Sequence, residues 1–393
     1  MSTLKVDAIR HNSATSDAIT TASDGTCTAR ITGMTGGGGL SHRNLIINGS
    51  FLIAQRATTS TSDNYQTVDR FGCSSSGTDE APTQAQGDVS SSDTPFTLGL
   101  TKAFKITNGN QTSGAGASDY MRIRHRIEAQ DVRNSGWNYR SSSSYITLSF
   151  WVKSSVAQTF YINIRSYDGT GQAYAHPFSA TTSWTKITHS IPGNSNLDFA
   201  NDSGMGLEIQ WAQYYGTQYT DNSRADNTWA QFVTSTQTKD HTSTWYTTND
   251  ATFEITGVQL EVGDSATSFE HRSRADELAR CQRYFYRLSY DQTANRNIQA
   301  GFFYSATNIM LGSVSHPVEM RAAPTLEGNI SGTNYWIVFH NSANQMFDTI
   351  ALSQAGTRNA NFYFAAGSGF STGTGCHVVN KNSPASCHFS AEL

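Results

Sequence analysis

The feature that most constrains this chain is a two-residue alternation of apolar side chains, repeated in short stretches. From Tyr145 to Val152, the residues Ile146, Leu148, Phe150 and Val152 fall on one side. Met205, Leu207, Ile209 and Trp211 do the same in the stretch from Met205 to Trp211, and Phe160 to Ile164 is a third case. Neighbouring side chains of a strand point to opposite faces, so each stretch has one face to bury and one to leave in water. Two facing antiparallel sheets satisfy that demand. Between Phe253 and Leu260 the apolar phase slips from Phe253 and Ile255 to Val258 and Leu260 across Gly257, which marks a β-bulge. Composition agrees: 37% of residues are hydrophobic and 15% charged, and the polarity is carried by Ser, Thr, Asn and Gly, which suit strands and turns. An aromatic content of 11% excludes a disordered chain. The expected fold class is therefore all-β: two β-sandwich (jelly-roll-like) domains joined by a short helix, with an N-terminal extended adaptor segment.

The order of these signals divides the 393 residues into segments. In residues 1–40, Leu4, Val6 and Ile9 belong to a short alternating run, which Ala18-Ile19-Thr20 and Ala29-Arg30-Ile31 repeat around the turn residues Asp24-Gly25. This segment is too poor in apolar surface for a core, and Gly36 to Gly39 end it as a hinge. Residues 43–272 form the first sandwich. Ser273 with Asp276 three positions on has the form of a helix cap. Leu278, Cys281, Phe285 and Leu288 then recur at helical spacing, which predicts a linking helix over 273–290 whose stripe either packs internally or forms a seam around an oligomer axis, the trimer seam if the chain is the homotrimer implied by the resemblance given below. Strand signals resume from Asn308 to Leu393, giving a second sandwich over 291–393.

Several function classes drop out. A net charge of −4, with no cluster of Lys, Arg and aromatics, argues against nucleic acid. No apolar run is long enough for a signal core or a membrane span, so the expectation is no membrane insertion and a soluble product made in a cytoplasm. Five cysteines do not suggest a disulfide framework. Cys376-His377 and Cys387-His388 echo a ligand pair, but strand neighbours face opposite ways, so neither a metal nor a cofactor is expected. His-Glu-x-x-His and Cys-x-x-Cys are absent, nothing nominates a nucleophile, and no carboxylate pair stands out among Asp79, Glu80, Asp221, Asp226 and Asp240. The chain is not expected to be an enzyme.

Binding is the better candidate. Trp211, Tyr214, Tyr215, Tyr219, Trp229 and Trp245 are interleaved with Asp221 and other polar residues, a mixture that can stack on sugar rings while bonding their hydroxyls. Tyr335 and Trp336, near His340, Asn341 and Gln345, form a second candidate group.

Three stretches carry a resemblance. Asn44-Leu45-Ile46-Ile47-Asn48-Gly49-Ser50-Phe51, with Gln55-Arg56, Tyr65 and Asp69-Arg70-Phe71, resembles the opening of the sandwich domain in tailed-bacteriophage fibre proteins. Gly257 to Gly263, Ala266 to Glu270 and Glu277 to Tyr284 are similar to the strand, loop and helix that close that domain. His316 to Pro324 and the terminal Ser390-Ala391-Glu392-Leu393 look like the C-terminal domain of the same proteins, and the opening residues resemble marine, cyanophage-like fibres. Ser268 and Phe71 depart from the usual proline and tryptophan. The resemblance implies a structural virion protein located in the phage tail. It would be a homotrimeric tail-fibre subunit that joins other phage tail proteins through its N-terminus and meets a host cell-surface glycan or protein at its far end. A free carbohydrate-binding lectin and a polysaccharide depolymerase are the alternatives. Independently of the resemblance, Arg56, Asp69 and Arg70 offer matched geometry for a buried polar group that fixes the first sandwich.

Overall fold

The computed structural model describes residues 6–10, 19–21, 23, 27–29, 42–288, 296–341, 343–381 and 385–393. Leu4, the Asp24-Gly25 turn and the Gly36 to Gly39 hinge lie outside these residues.

The fold is all-β. In the first sandwich one sheet runs, in spatial order, through Trp229–Gln231, Gln172–Ala180, Gln158–Ser166, Met205–Tyr215, Tyr120–Glu128 and Phe71–Ser76. Thr185–Pro192, Tyr145–Ser154, Thr252–Val262, Lys102–Thr107, Thr83–Asp88 and Thr59–Ser60 make the facing sheet. All the strand pairings are antiparallel, and the alternating residues read from the sequence meet in the shared core. Leu148, Phe150 and Val152 there face Ile162, Ile209 and Trp211. The slip at Gly257 is a bulge: pairing with Tyr145–Ser154 jumps between Thr256 and Gln259, and Gly257 sits at φ +61°.

The cap read at Ser273 is present, its hydroxyl accepting the Asp276 N–H at 3.1 Å, and the helix spans Arg274–Gln282. It ends earlier than the apolar spacing predicts. Phe285 belongs instead to the strand Phe285–Arg287, paired with His388–Ser390, because consecutive Tyr284, Phe285 and Tyr286 are all buried, which a strand with both faces covered allows and one helical face does not. The trimer seam is corrected accordingly. Cys281 and Phe285 are buried within the chain, Leu278 is half-buried, and Leu288 packs on the second core, so the four share no exposed stripe.

The second core joins a large sheet, including Arg296–Phe303, Asn308–Leu311, Ser331–His340, Ala343–Thr349, Asn359–Ala365 and Gly375–Asn380, to a small one made of Phe285–Arg287, His388–Ser390 and Thr325–Glu327. Trp336, Val338, Phe362 and Val378 from the large sheet meet Tyr286 and Phe389 from the small one. Near the N-terminus, Ala8–Ile9, Ile19–Thr21 and Cys27–Ala29 pair as a small antiparallel sheet, with Val6 and Ile9 exposed.

The two sandwiches meet across a buried polar network. The Arg70 guanidinium, fully buried, pairs with Glu392, donates to the Arg126 carbonyl at 2.7 Å and stacks 3.4 Å over the Tyr284 ring. Arg56 reaches the same Glu392 at 3.2 Å and covers Phe285 at 3.5 Å. Arg283 grips Glu128 with two bonds of 2.7 Å, and Arg321 donates to the carbonyls of Ala391, Glu392 and Ser203. Asp69 is not in this group. It accepts from the Gln55 main chain and side chain, so the Arg-Asp pairing read from adjacency is replaced by pairing with a residue from the far end of the chain.

Candidate functional site

Strand alternation that buries one face of the Tyr120–Glu128 strand sends Tyr120, Arg122, Arg124 and Arg126 to the other. Met121, Ile123, His125 and Ile127 go to the core. The register places Arg126 beside Glu208 and Arg124 beside Gln210 on the next strand, and then Arg165 beside Glu208 and Asn163 beside Gln210 on the strand after. Of these, Arg126, Arg165, Glu208 and Gln210, with Arg122, floor a groove of ≈ 470 Å³ walled by Tyr167, Tyr215, Tyr219 and Phe232.

The floor is held rigid by hydrogen bonds. Glu208 Oε2 pairs with Arg126, and its Oε1 accepts from Gln210 and from the Tyr167 hydroxyl at 3.2 Å. Burial opposes the Glu208 charge, but the Arg126 guanidinium and these donors outweigh it and hold the carboxyl below its ordinary range. Asn163 donates to Gln210 and to Gln237, each at 3.1 Å, and the Tyr215 hydroxyl donates to Gln210 at 2.5 Å. At the rim, Tyr120 and Tyr219 meet edge to face with centroids 5.5 Å apart.

Of the aromatics singled out in the sequence, Tyr215 and Tyr219 line this groove, and the others lie elsewhere. Trp211 is core, 5.8 Å from Phe150 across the two sheets, and Trp245 is core with its indole N–H given to the Thr252 carbonyl at 3.0 Å. Tyr214 stacks on Tyr246 at 4.5 Å. Trp229 is buried with its N–H on the Pro192 carbonyl at 2.7 Å, and Trp336 is buried with its N–H on Ile330 at 3.0 Å. These indoles fill the interior because large apolar rings contribute most there. Asp221 caps its own turn, accepting the Ser223 N–H at 2.7 Å, and Tyr335 is half-buried. Sequence reading missed Tyr120, Arg122, Arg165, Tyr167, Glu208, Gln210 and Phe232. The signal was there in the polar half of the alternation: Arg122, Arg124 and Arg126 at every second position opposite an apolar face.

A second groove of ≈ 560 Å³ on the second sandwich is lined by Phe339, His340, Asn341 and His377. His377 is exposed and stacks on Phe339 at 5.0 Å, whereas Cys376 beside it turns into the core. Among the described residues no cluster of His, Cys, Asp or Glu could hold a metal ion, and no helix is long and apolar enough to cross a membrane. Gly369-Phe370-Ser371-Thr372-Gly373 matches the letters of a nucleophile elbow, but a strand follows it where an elbow requires a helix.

No protein-family model and no curated protein sequence matches the chain. Among solved structures it is similar to the enzymatically active domain of bacteriophage CBA120 tailspike protein 4, with 13% identity, a TM-score of 0.30 and coverage of 56% of this chain but 21% of that one. It is also similar to a family 11 carbohydrate-binding module of a Clostridium thermocellum cellulosomal cellulase, with 14% identity, a TM-score of 0.26 and coverage of 55% and 98%. The N-terminal cellulose-binding domain of a Cellulomonas fimi β-1,4-glucanase is a third, with 8% identity, a TM-score of 0.27 and coverage of 55% and 99%. At these scores the likeness bears on neither ligand nor partner.

Proposed function

We propose that this chain is a tail-fibre subunit of a tailed phage that adheres to its host by binding a surface saccharide in the groove over Glu208 and Gln210. The observation that carries this reading is the groove itself, a rigid polar floor with tyrosines at its rim. Ring faces accept the C–H side of a sugar, and fixed amides and guanidinium groups match its hydroxyls. The phage assignment rests on the resemblance, and the contacts among its residues support it. The separated stretches converge on one network in which Arg56, Arg70, Tyr284, Arg321 and Glu392 meet, so they describe one way of joining two sandwiches. Exposed Val6 and Ile9 are suited to joining a tail partner, and a homotrimer completes the proposal.

Binding without cleavage is the favoured reading of the groove. Hydrolysis of a glycosidic bond normally needs two carboxyl groups, one of them protonated. Glu208 is the one carboxylate among the described residues lining the groove, and its neighbours keep it ionised. The test is titration calorimetry and reducing-end analysis with purified host surface polysaccharide. Saturable binding that Tyr219→Ala weakens, with no new reducing ends, is expected. New reducing ends would instead favour a depolymerase, and absence of binding would remove the adhesin reading of the groove.

A further inference from the structure

The charges of the groove do not balance. Arg122, Arg126 and Arg165 line it against the one carboxylate of Glu208, and Arg126 is taken up by that carboxylate and by the Leu393 main-chain oxygen. Among the described residues no carboxylate lies within ion-pairing distance of Arg122 or Arg165, in a chain whose net charge is −4. Among the described residues the Arg122 guanidinium has one hydrogen bond, to the Tyr215 hydroxyl at 3.3 Å, and its Nε is buried without a partner. The Arg165 Nε is likewise buried without one.

Both guanidinium groups lie over aromatic rings. Arg165 lies 3.5 Å from the centroid of the Phe232 ring and 4.3 Å from that of Tyr167, while Arg122 lies 4.8 Å from that of Tyr120. Stacking of this kind fixes a guanidinium and leaves its edge, where the N–H donors lie, for another partner. A planar fork of donors matches a carboxylate, and the loss of rotamer freedom has already been met before a ligand arrives.

Building on the saccharide reading of this groove, we infer that its ligand is an acidic saccharide, a glycan bearing uronate-type carboxylates, with Arg122 and Arg165 as the residues that read the acid. The aromatic rim takes the sugar ring and the two guanidinium edges take the carboxylate. Neutral glycans of the same shape leave both charges unanswered, so they bind more weakly.

The experiment is binding of the full chain to an array of acidic and neutral oligosaccharides, followed by titration of the best acidic ligand and its carboxyl-reduced form. Arg165→Lys and Arg122→Met are compared with the parent, each checked by thermal melting. The expected result is a preference for the acidic form that falls about tenfold or more in each variant, and falls further as salt rises. Arg165→Lys keeps the charge and removes the fork, so loss in this variant separates geometry from simple attraction. Equal binding of the carboxyl-reduced form, unaffected in the variants, would overturn the acidic preference and leave the saccharide reading intact. Binding of no saccharide on the array would overturn both. Equal binding of dextran sulfate and polyphosphate would replace the inference with unspecific polyanion attraction.

Discussion

Arg70 has no exposed surface, yet it stays charged. Burial works against its charge, but the Glu392 carboxylate beside it prevails and raises its pKa further. A buried pair of this kind is costly to break because the remaining charge has no solvent to turn to. Glu392→Gln is therefore expected to destabilise the protein by about 3–5 kcal/mol in urea unfolding. Replacing Arg70 and Glu392 together by Met should recover much of that loss, and failure to recover would mean that the Arg70 contact with the Arg126 carbonyl matters more than the ion pair. The pair was not legible in the sequence, because Asp69 is adjacent to Arg70 while Glu392 is 322 residues away. Histidines held partly or wholly away from water shape the pH response. Burial pushes His241 down to about 3, and His189 and His388 down to about 4, from an ordinary 6.5. Each is neutral in the fold while the unfolded chain takes up a proton, so the stability they contribute is present above about pH 6.5 and is lost as pH falls through about 4. Asp69 acts in the opposite sense: burial pushes it up to about 6, so its contribution is greatest in acid and is lost as pH rises through 6. Fully buried His125, with His176 and His316, is shifted the same way, so the histidines together outweigh Asp69 and predict a melting temperature that falls from pH 7 to pH 5. His241→Gln should flatten that fall, and an unchanged slope would show that its ring is not the titrating group.

Strands were the most legible elements, since one buried face leaves a period of two in the sequence and each slip in that period reports a bulge. Gly257 is the clearest example: at φ +61° an added Cβ would lie 2.6 Å from a Leu100 methyl and 3.3 Å from Trp151. Gly257→Ala is expected to cost about 1–3 kcal/mol from strain and overpacking together. Urea unfolding checks this, and a variant as stable as the parent would mean that the bulge moves aside. The linking helix was legible at its start and not at its end. Ser273 marks the cap by its chemistry alone, and Ser273→Ala should remove about 1 kcal/mol. Its end depends on Phe285 pairing with Ser390, a partner that local spacing cannot name. Reading only the apolar half of each alternation had a similar consequence for function. It drew attention to Trp211, which lies in the shared core, and away from Glu208 and Gln210, which face outward on the same strand, and from Arg122 on the strand beside it.

Across the whole molecule, polar groups join one sandwich to the other, whereas the outer face of the second sandwich carries exposed apolar side chains beside polar ones. Phe302 is 42% exposed, Tyr304 55% and Met346 41%. The register places Ala300 opposite His377, His377 opposite Phe339, and Met346 opposite Ile337, so these residues run across one face of the large sheet, away from buried Val338 and Val378. Several large apolar side chains exposed on one sheet face are suited to a subunit contact, and closed symmetry covers such a face by repeating one surface around an axis. The homotrimer proposed with the fibre reading therefore has a better seam here than along the helix, where Cys281 and Phe285 are already spent on the interior of one chain. If copies meet through this face, polar substitutions at Phe302 and Met346 should lower the association constant while leaving each chain folded. The unfolding temperature would then depend on concentration in the parent and much less in the variant, because association stabilises only the folded state. Sedimentation of the full chain at micromolar concentration decides the matter. A species of three chains that the double substitution Phe302→Ser with Met346→Ser dissociates is the expected outcome, and a parent that sediments as a single chain would remove both the seam and the fibre architecture that depends on it.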